Sequence, residues 1–264
     1  EMNDYLQEVL YDTQAGCQMA ITAENLAEKY GISREEADDY GFRSQTAFAA
    51  AHEAGRYAEE IVPVTLKTRK GERVVEVDEH PQLSPLAPER FRSRFSREAM
   101  AKLKPIFKEN GTVTAANASG INDGAAATIV CDEDFAKAHG LKPMAAITGY
   151  ATGGLAPEWV MMAPEVATKN LCALMGCSVG DFDLIEMNEA FSVQMVALQR
   201  QLEADPERWN VHGGAVALGH PIGCSGTRVL VTLLHALQRH DKSRGIAGLC
   251  LGGGNAVVMG VERI

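Results

Sequence analysis

Three residues stand where chemistry is possible: His220, Cys250 and Asn188, each beside a run of glycine or other small residues. Imidazole, thiol and amide are groups that can serve as acid or base, as nucleophile and as hydrogen-bond donor. His220 lies in residues 213–228, which carry glycine at 213, 214, 219, 223 and 226. Glycine loses the most backbone entropy on folding, so this density predicts tight turns or backbone lying against a ligand. Cys250 closes the apolar run 245–251 ahead of Gly252-Gly253-Gly254, and Asn188 follows the apolar run 184–187. Each has a plainer reading when taken singly. A histidine after glycine is more often structural, a cysteine beside a strand is usually an inert small hydrophobe, and an asparagine can cap a helix.

The elements around them must bring the three together. Val229, Leu230, Leu233, Leu234 and Leu237 repeat with helical spacing, which predicts a strand, a glycine loop carrying His220, and a helix starting near Cys224 or Ser225. The imidazole then lies beside a helix N-terminus, where unsatisfied N–H groups favour negative charge. Residues 245–251 and 256–261 read as two buried strands joined by a glycine turn. Residues 183–191 read as a strand ending in Asn188-Glu189 before a helix. Histidine, cysteine and asparagine, each at a strand end, can meet at one rim of a sheet.

Upstream of these blocks, residues 126–203 alternate as strand (127–131), helix (133–140), strand (145–150), helix (164–176), strand (184–187) and helix (191–203). Such alternation with a terminal hairpin defines an α/β fold: a mixed sheet with helices on both faces. We divide the chain into a covering region, 1–125, and a C-terminal domain, 126–264. Within the first region residues 22–55 are helical, with Ser33 and Glu36 as a capping box and Ala37, Tyr40, Ser44, Ala47, Phe48 and Ala51 on one small-residue face. Residues 60–79 read as a β-hairpin whose turn carries Lys67, Arg69, Lys70 and Arg73, either a solvated turn or a contact for a phosphate-bearing ligand. Residues 81–99 read as an excursion loop. Residues 111–125, small and polar, suit a loop against a ligand or one crossing a helix.

Composition narrows the function. With 264 residues, 46% apolar and 23% charged, the chain can bury a core, and its net charge of −10 excludes a general nucleic-acid binder. No apolar run is long enough to span a membrane. The N-terminus has no signal-peptide character and starts at Glu1, which fits processing, truncation or a cloning boundary alike. Six scattered cysteines without a C-x-x-C pair fit neither a disulfide framework nor a zinc site, and predict a reduced, cytoplasmic protein without a metal.

Six blocks, in order, carry a family resemblance: residues 21–25 (ITAEN), 78–81 (DEHP), 117–125 (NASGINDGA), 188–191 (NEAF), 213–228 (with GHP at 219–221) and 250–254 (CLGGG). Together they resemble the thiolases, acyltransferases that cleave 3-oxoacyl-CoA with a second CoA or run the reverse Claisen condensation. The resemblance implies that His220 activates a nucleophilic cysteine, that Cys250 shuttles a proton, that Asn188 holds a water of one oxyanion hole, and that the backbone of Gly252 helps form a second. It also implies CoA contacts at Leu10, Met19, Leu103, Phe107, Ala115, Ser119 and Phe191. Coenzyme A enters as a substrate, with no resident cofactor.

The sequence departs from the family pattern in several places. No Cys-x-Ser/Gly-Gly nucleophile block is present, and Cys17 falls where the family has its covering loop. This leads us to expect that the N-terminal, nucleophile-bearing half is absent: either a separate chain supplies it, or this chain is a fragment of a longer product whose complete enzyme is a homo-oligomer. It also predicts a large apolar face on the C-terminal sheet. Gln18 replaces a frequent histidine, Gln82 a common phosphate-facing arginine for which Arg90, Arg92 or Arg94 could compensate, and residues 160–164 (VMMAP) a usually glycine-rich wall of the acyl pocket. The rival reading is a non-catalytic acyl-CoA-binding or scaffold subunit, disfavoured because it needs none of His220, Asn188 and Cys250. A ketoacyl synthase is disfavoured by the cysteine block at 250–254.

Overall fold

The computed structural model of the chain describes residues 4–78 and 96–264. The expectations placed on Glu79, His80, Pro81, Gln82, Arg90, Arg92 and Arg94 lie outside the described residues. The chain opens with α1 (Tyr5–Val9), a small hairpin of β1 (Tyr11–Asp12) and β2 (Cys17–Gln18), then α2 (Met19–Tyr30) and α3 (Arg34–Glu53). The capping box forms as expected: the Glu36 N–H donates to Ser33 Oγ, and the Ser33 N–H donates to the Glu36 carboxylate. β3 (Val64–Thr68) and β4 (Gly71–Val75) make the expected hairpin, exposed along nearly its whole length. After α4 (Arg97–Ala101) and an irregular stretch come α5 (Glu133–Ala138), β5 (Ala145–Gly154), α6 (Ala163–Met175), β6 (Leu184–Met187) and α7 (Ser192–Leu202). The one-turn α8 (Ala215–Leu218), α9 (Ser225–Arg239), β7 (Arg244–Leu251) and β8 (Asn255–Arg263) complete the fold.

The main sheet runs β5-β8-β7-β6, antiparallel except for the parallel pair β6–β7. Two cores, one against each face, hold it. On one face Val229, Leu233, Ala236 and Leu237 of α9 pack on Leu184, Ala247 and Val261. Each fully buried leucine or valine there contributes about 1.5–3 kcal/mol. On the other, α6, α7 and α2 enclose Leu171, Met187, Met195, Leu198, Ile246 and Val258. The expected broad uncovered face therefore shrinks to the edge strand β5, where Tyr150 is 67% exposed.

Two local expectations are corrected. Residues 127–131 form no strand: a β-branched run needs a neighbour to pair with, the described residues offer none, and Ile129 is 95% exposed. No strand precedes the histidine loop either. Residues 215–218 make the turn α8, because buried side-chain oxygens of Ser44 and Glu189 accept the N–H groups of Gly214 and Val216.

Candidate active site

The parallel pairing of β6 and β7 sets the first part of the site. Met187 pairs with Gly248, and the Asn188 N–H donates to the Gly248 carbonyl at 2.9 Å, so Asn188 emerges beside the strand that carries Cys250. Asn188 is 1% exposed, yet neither Oδ1 nor Nδ2 has a hydrogen-bond partner. Cys250, half-buried, receives a hydrogen bond from Gln194 Nε2 at 3.5 Å, and burial pushes its thiol up to about 11. The turn after it, with the exposed Gly252, is tied down from the covering region. The Gly253 N–H donates to Asp12 Oδ2 at 2.8 Å, while the N–H groups of Gln14 and Ala15 donate to Asp12 Oδ1. Burial raises the Asp12 carboxyl, but these three donors more than offset it and hold the group below its usual range.

His220 is held by a second set of contacts. Its N–H donates to the Gly120 carbonyl at 2.9 Å, and both the N–H and Oγ of Ser119 donate to the Ala190 carbonyl. Residues 119–122 thus clasp the histidine loop to the loop that carries Asn188. At Gly219, with φ of 94°, a Cβ would run into Asn122, so the clasp requires glycine there. Ser225 Oγ lies 2.6 Å from His220 Nδ1 and donates its own proton to the Pro221 carbonyl at 3.0 Å. The network assigns the proton to Nδ1, which leaves Nε2 as the basic atom. Burial first, and then the positive charge of Arg228, lower the imidazole to about 4, so it is neutral at pH 7.

Beneath both loops lies Glu189, fully buried. It accepts from Tyr40 Oη at 2.8 Å, Ser44 Oγ at 2.6 Å, Asn210 Nδ2 at 2.8 Å and the Val216 N–H at 3.1 Å. Asn210 also accepts from the Met187 N–H and donates to the Met187 carbonyl. One carboxylate therefore joins α3, the end of β6 and the start of the histidine loop. Sequence reasoning quoted Glu189 without assigning it a task, and passed over Asp12, Gln194, Asn210 and the clasp. The signal available was a glutamate at the head of a small-residue block, and no spacing rule reveals partners so distant in sequence.

Among the remaining candidates, the Met19 N–H donates to the Leu10 carbonyl, two residues before Asp12, and Phe191 pairs with Ala118 beside Ser119. Leu103 and Phe107 are exposed apolar side chains, at 39% and 42%, and Ala115 is exposed as well. Arg34 holds the Leu103 carbonyl. None of His220, Cys250 and Asn188 lines the cavity of about 680 Å³ bounded by Phe42, Arg43, Asp183, Arg208, His240 and Lys242. Among the described residues no cluster of three or more His, Cys, Asp or Glu could hold a metal ion, and all six cysteines are free. No helix among them is long and apolar enough to cross a membrane.

A mixed α/β sheet with a glycine-held histidine and a cysteine turn defines a class. The family description "Thiolase, C-terminal domain" matches residues 141–263 and "Thiolase, N-terminal domain" matches residues 1–134. The chain belongs to the thiolase family. It is 49% identical over 249 residues to the acetyl-CoA acetyltransferase of Escherichia coli K12, covering 94% of this chain and 61% of that protein. It is 42% identical over 262 residues to the mitochondrial 3-ketoacyl-CoA thiolase of Bos taurus, covering 99% and 64%. The crystal structure of the Bacillus anthracis acetyl-CoA acetyltransferase superposes with a TM-score of 0.94 at 42% identity, covering all of this chain and 64% of that one. Human mitochondrial 3-ketoacyl-CoA thiolase in complex with CoA gives 0.88 at 38%, covering all of this chain and 63% of that one.

The N-terminal match corrects one expectation. Residues 1–134 belong to the family's N-terminal domain, so that half is not absent from the chain, and nothing supports a separate partner chain. The sequence reading equated the half with its nucleophile block, whereas the covering region is itself part of that domain. The chain spans about three fifths of the length of the curated relatives it matches.

Proposed function

We propose that these residues form the acid–base and oxyanion side of a thiolase site acting on 3-oxoacyl-CoA and CoA. In this reading the nucleophilic cysteine lies in the part of the relatives' length that residues 1–264 do not span. His220 Nε2 takes the thiol proton, and the thiolate attacks the 3-oxo carbonyl. The Cα–Cβ bond breaks, and Cys250 gives its proton to the α-carbon of the departing enolate. The Cys250 thiolate then takes the proton of CoA-SH, whose sulfur displaces the acyl group as acyl-CoA. The nucleophile leaves as a thiolate and recovers its proton from His220, so both Cys250 and the nucleophile return to the thiol.

The observation that carries this reading is the Asn188 amide, buried and unpartnered beside the Cys250 strand. A buried polar group without a partner costs about 1–3 kcal/mol, and a purely structural asparagine would be bonded. An ordered water on Asn188 would present a donor to a thioester oxygen. The exposed Leu103 and Phe107 suit the apolar parts of CoA, and the basic hairpin 64–75 its phosphates.

The test is CoA-dependent cleavage of a 3-oxoacyl-CoA by the protein expressed from its own gene. His220→Ala should lower the rate about 10²–10⁴-fold with the thermal midpoint retained. Acetylation of the nucleophile from acetyl-CoA at the wild-type rate in that variant would refute the role given to His220.

A further inference from the structure

Gln194 has no part in the reading above, yet its side chain donates a hydrogen bond to the Cys250 sulfur. It lies on the first turn of α7, is 0% exposed, and places Nε2 3.5 Å from Sγ. Its Oε1 is buried without a partner. A glutamine with only packing to do would turn its amide toward water or backbone. Here both polar ends are withdrawn from solvent, and one is spent on a sulfur.

The sulfur needs such a partner. A thiol that cycles through its thiolate in an apolar surrounding pays for desolvation, and burial is the largest influence on Cys250. An N–H donor aimed at sulfur opposes that cost, since hydrogen bonds to charged groups are stronger than those to neutral ones. Among the described residues the influences on its thiol are burial, Gln194 and its own backbone, with no cationic side chain beside them. A neutral amide also leaves the thiol uncharged at rest, as a proton donor to carbon requires.

We propose that Gln194 is the positioning residue for Cys250, its amide N–H orienting the sulfur and stabilising the thiolate formed when Cys250 gives up a proton. The proposal rests on the reading of Cys250 as a proton carrier, but its test does not depend on turnover. Cys250 is alkylated with iodoacetamide across pH 7–11 in the protein expressed from its own gene, and the carbamidomethylated Cys250 peptide is quantified by mass spectrometry. In Gln194→Met, which keeps the volume and loses the donor, the apparent midpoint, read from alkylation rates at fixed pH on the lower limb of the profile, should rise by about one unit, a roughly tenfold fall in rate. In Gln194→Glu, which keeps the shape and adds negative charge, it should rise further. The 3-oxoacyl-CoA assay should show kcat reduced with KM held.

Midpoints at or below the wild-type value in both variants would overturn the proposal. Should Gln194→Met fail to fold, the Gln194→Glu midpoint decides alone. Raised midpoints in a protein without thiolase activity would support Gln194 and refute the proposed function. Unchanged midpoints in an active enzyme would do the reverse.

Discussion

Ser225 Oγ lies 2.6 Å from His220 Nδ1, one turn of chain beyond the histidine it holds. The serine is 1% exposed and opens α9, and its hydroxyl donates to the Pro221 carbonyl, so it is fixed before any substrate arrives. That contact decides which imidazole nitrogen is free to act, and it gives the first prediction. Ser225→Ala should lower kcat for 3-oxoacyl-CoA cleavage about 10-fold or more with KM nearly unchanged, because the basic tautomer is no longer selected. A fall confined to KM would show that the hydroxyl serves binding instead.

Glu189 predicts a stability effect rather than a chemical one. Glu189→Ala strands four donors, from Tyr40, Ser44, Asn210 and Val216, in a dry interior. Each buried donor left without an acceptor costs about 1–3 kcal/mol, so a loss of about 3–5 kcal/mol is expected after partial relaxation. Urea unfolding should show a loss of that size, with the histidine loop exchanging its amide protons first. A loss below about 1 kcal/mol would mean that the loops are held by other contacts.

The buried titrating groups predict how stability follows pH. His220 and His212 are both lowered to about 4, by burial first and then by neighbouring positive charge. Their unfolded forms bind more protons between about pH 4 and 6.5, so their contribution is lost as pH falls through that range. Burial raises Glu186 to about 8 and Glu60 to about 7, although Arg228, 3.0 Å from Glu186, opposes the rise. Here the folded form binds more protons above about pH 4.5, so this contribution is lost as pH rises toward 8. The two trends oppose each other between 4.5 and 6.5, and above 6.5 the carboxylates act alone. Stability should therefore decline from pH 6.5 to 8, and Glu186→Gln should flatten that decline. Denaturation midpoints that climb over this interval in the wild type would contradict the assignment.

Much of this was legible in the sequence where the determinant is local. The turn Gly252-Gly253-Gly254 between two apolar runs announced β7 and β8, and Ser33 with Glu36 announced the start of α3. The three candidate residues were legible as ordered blocks. What was hidden depends on partners far along the chain. The N–H of Val216 finds Glu189, and that of Gly253 finds Asp12, 241 residues away, so a glycine-rich run read as a strand becomes a helical turn. Residues 111–125 suited either a loop against a ligand or one crossing a helix, and for 112–117 the second holds: Thr112 and Val113 donate to the buried Glu24 of α2, and Asn117 to Asp38 of α3. Residues 127–131 failed for the opposite reason: their propensity is for a strand, but a ladder needs two chains' worth of backbone, and propensity supplies one.

The proposed role of Cys250 as the proton carrier at carbon is the central claim. It is tested by following two exchanges in Cys250→Ser: label between CoA and acetyl-CoA, and deuterium into the methyl group of acetyl-CoA in D₂O. A serine hydroxyl is a far weaker acid–base group near neutral pH than a thiol, so it cannot serve at carbon, while acyl transfer to the nucleophile does not need it. The account predicts that CoA exchange survives and methyl exchange disappears. Loss of CoA exchange with methyl exchange intact would contradict it.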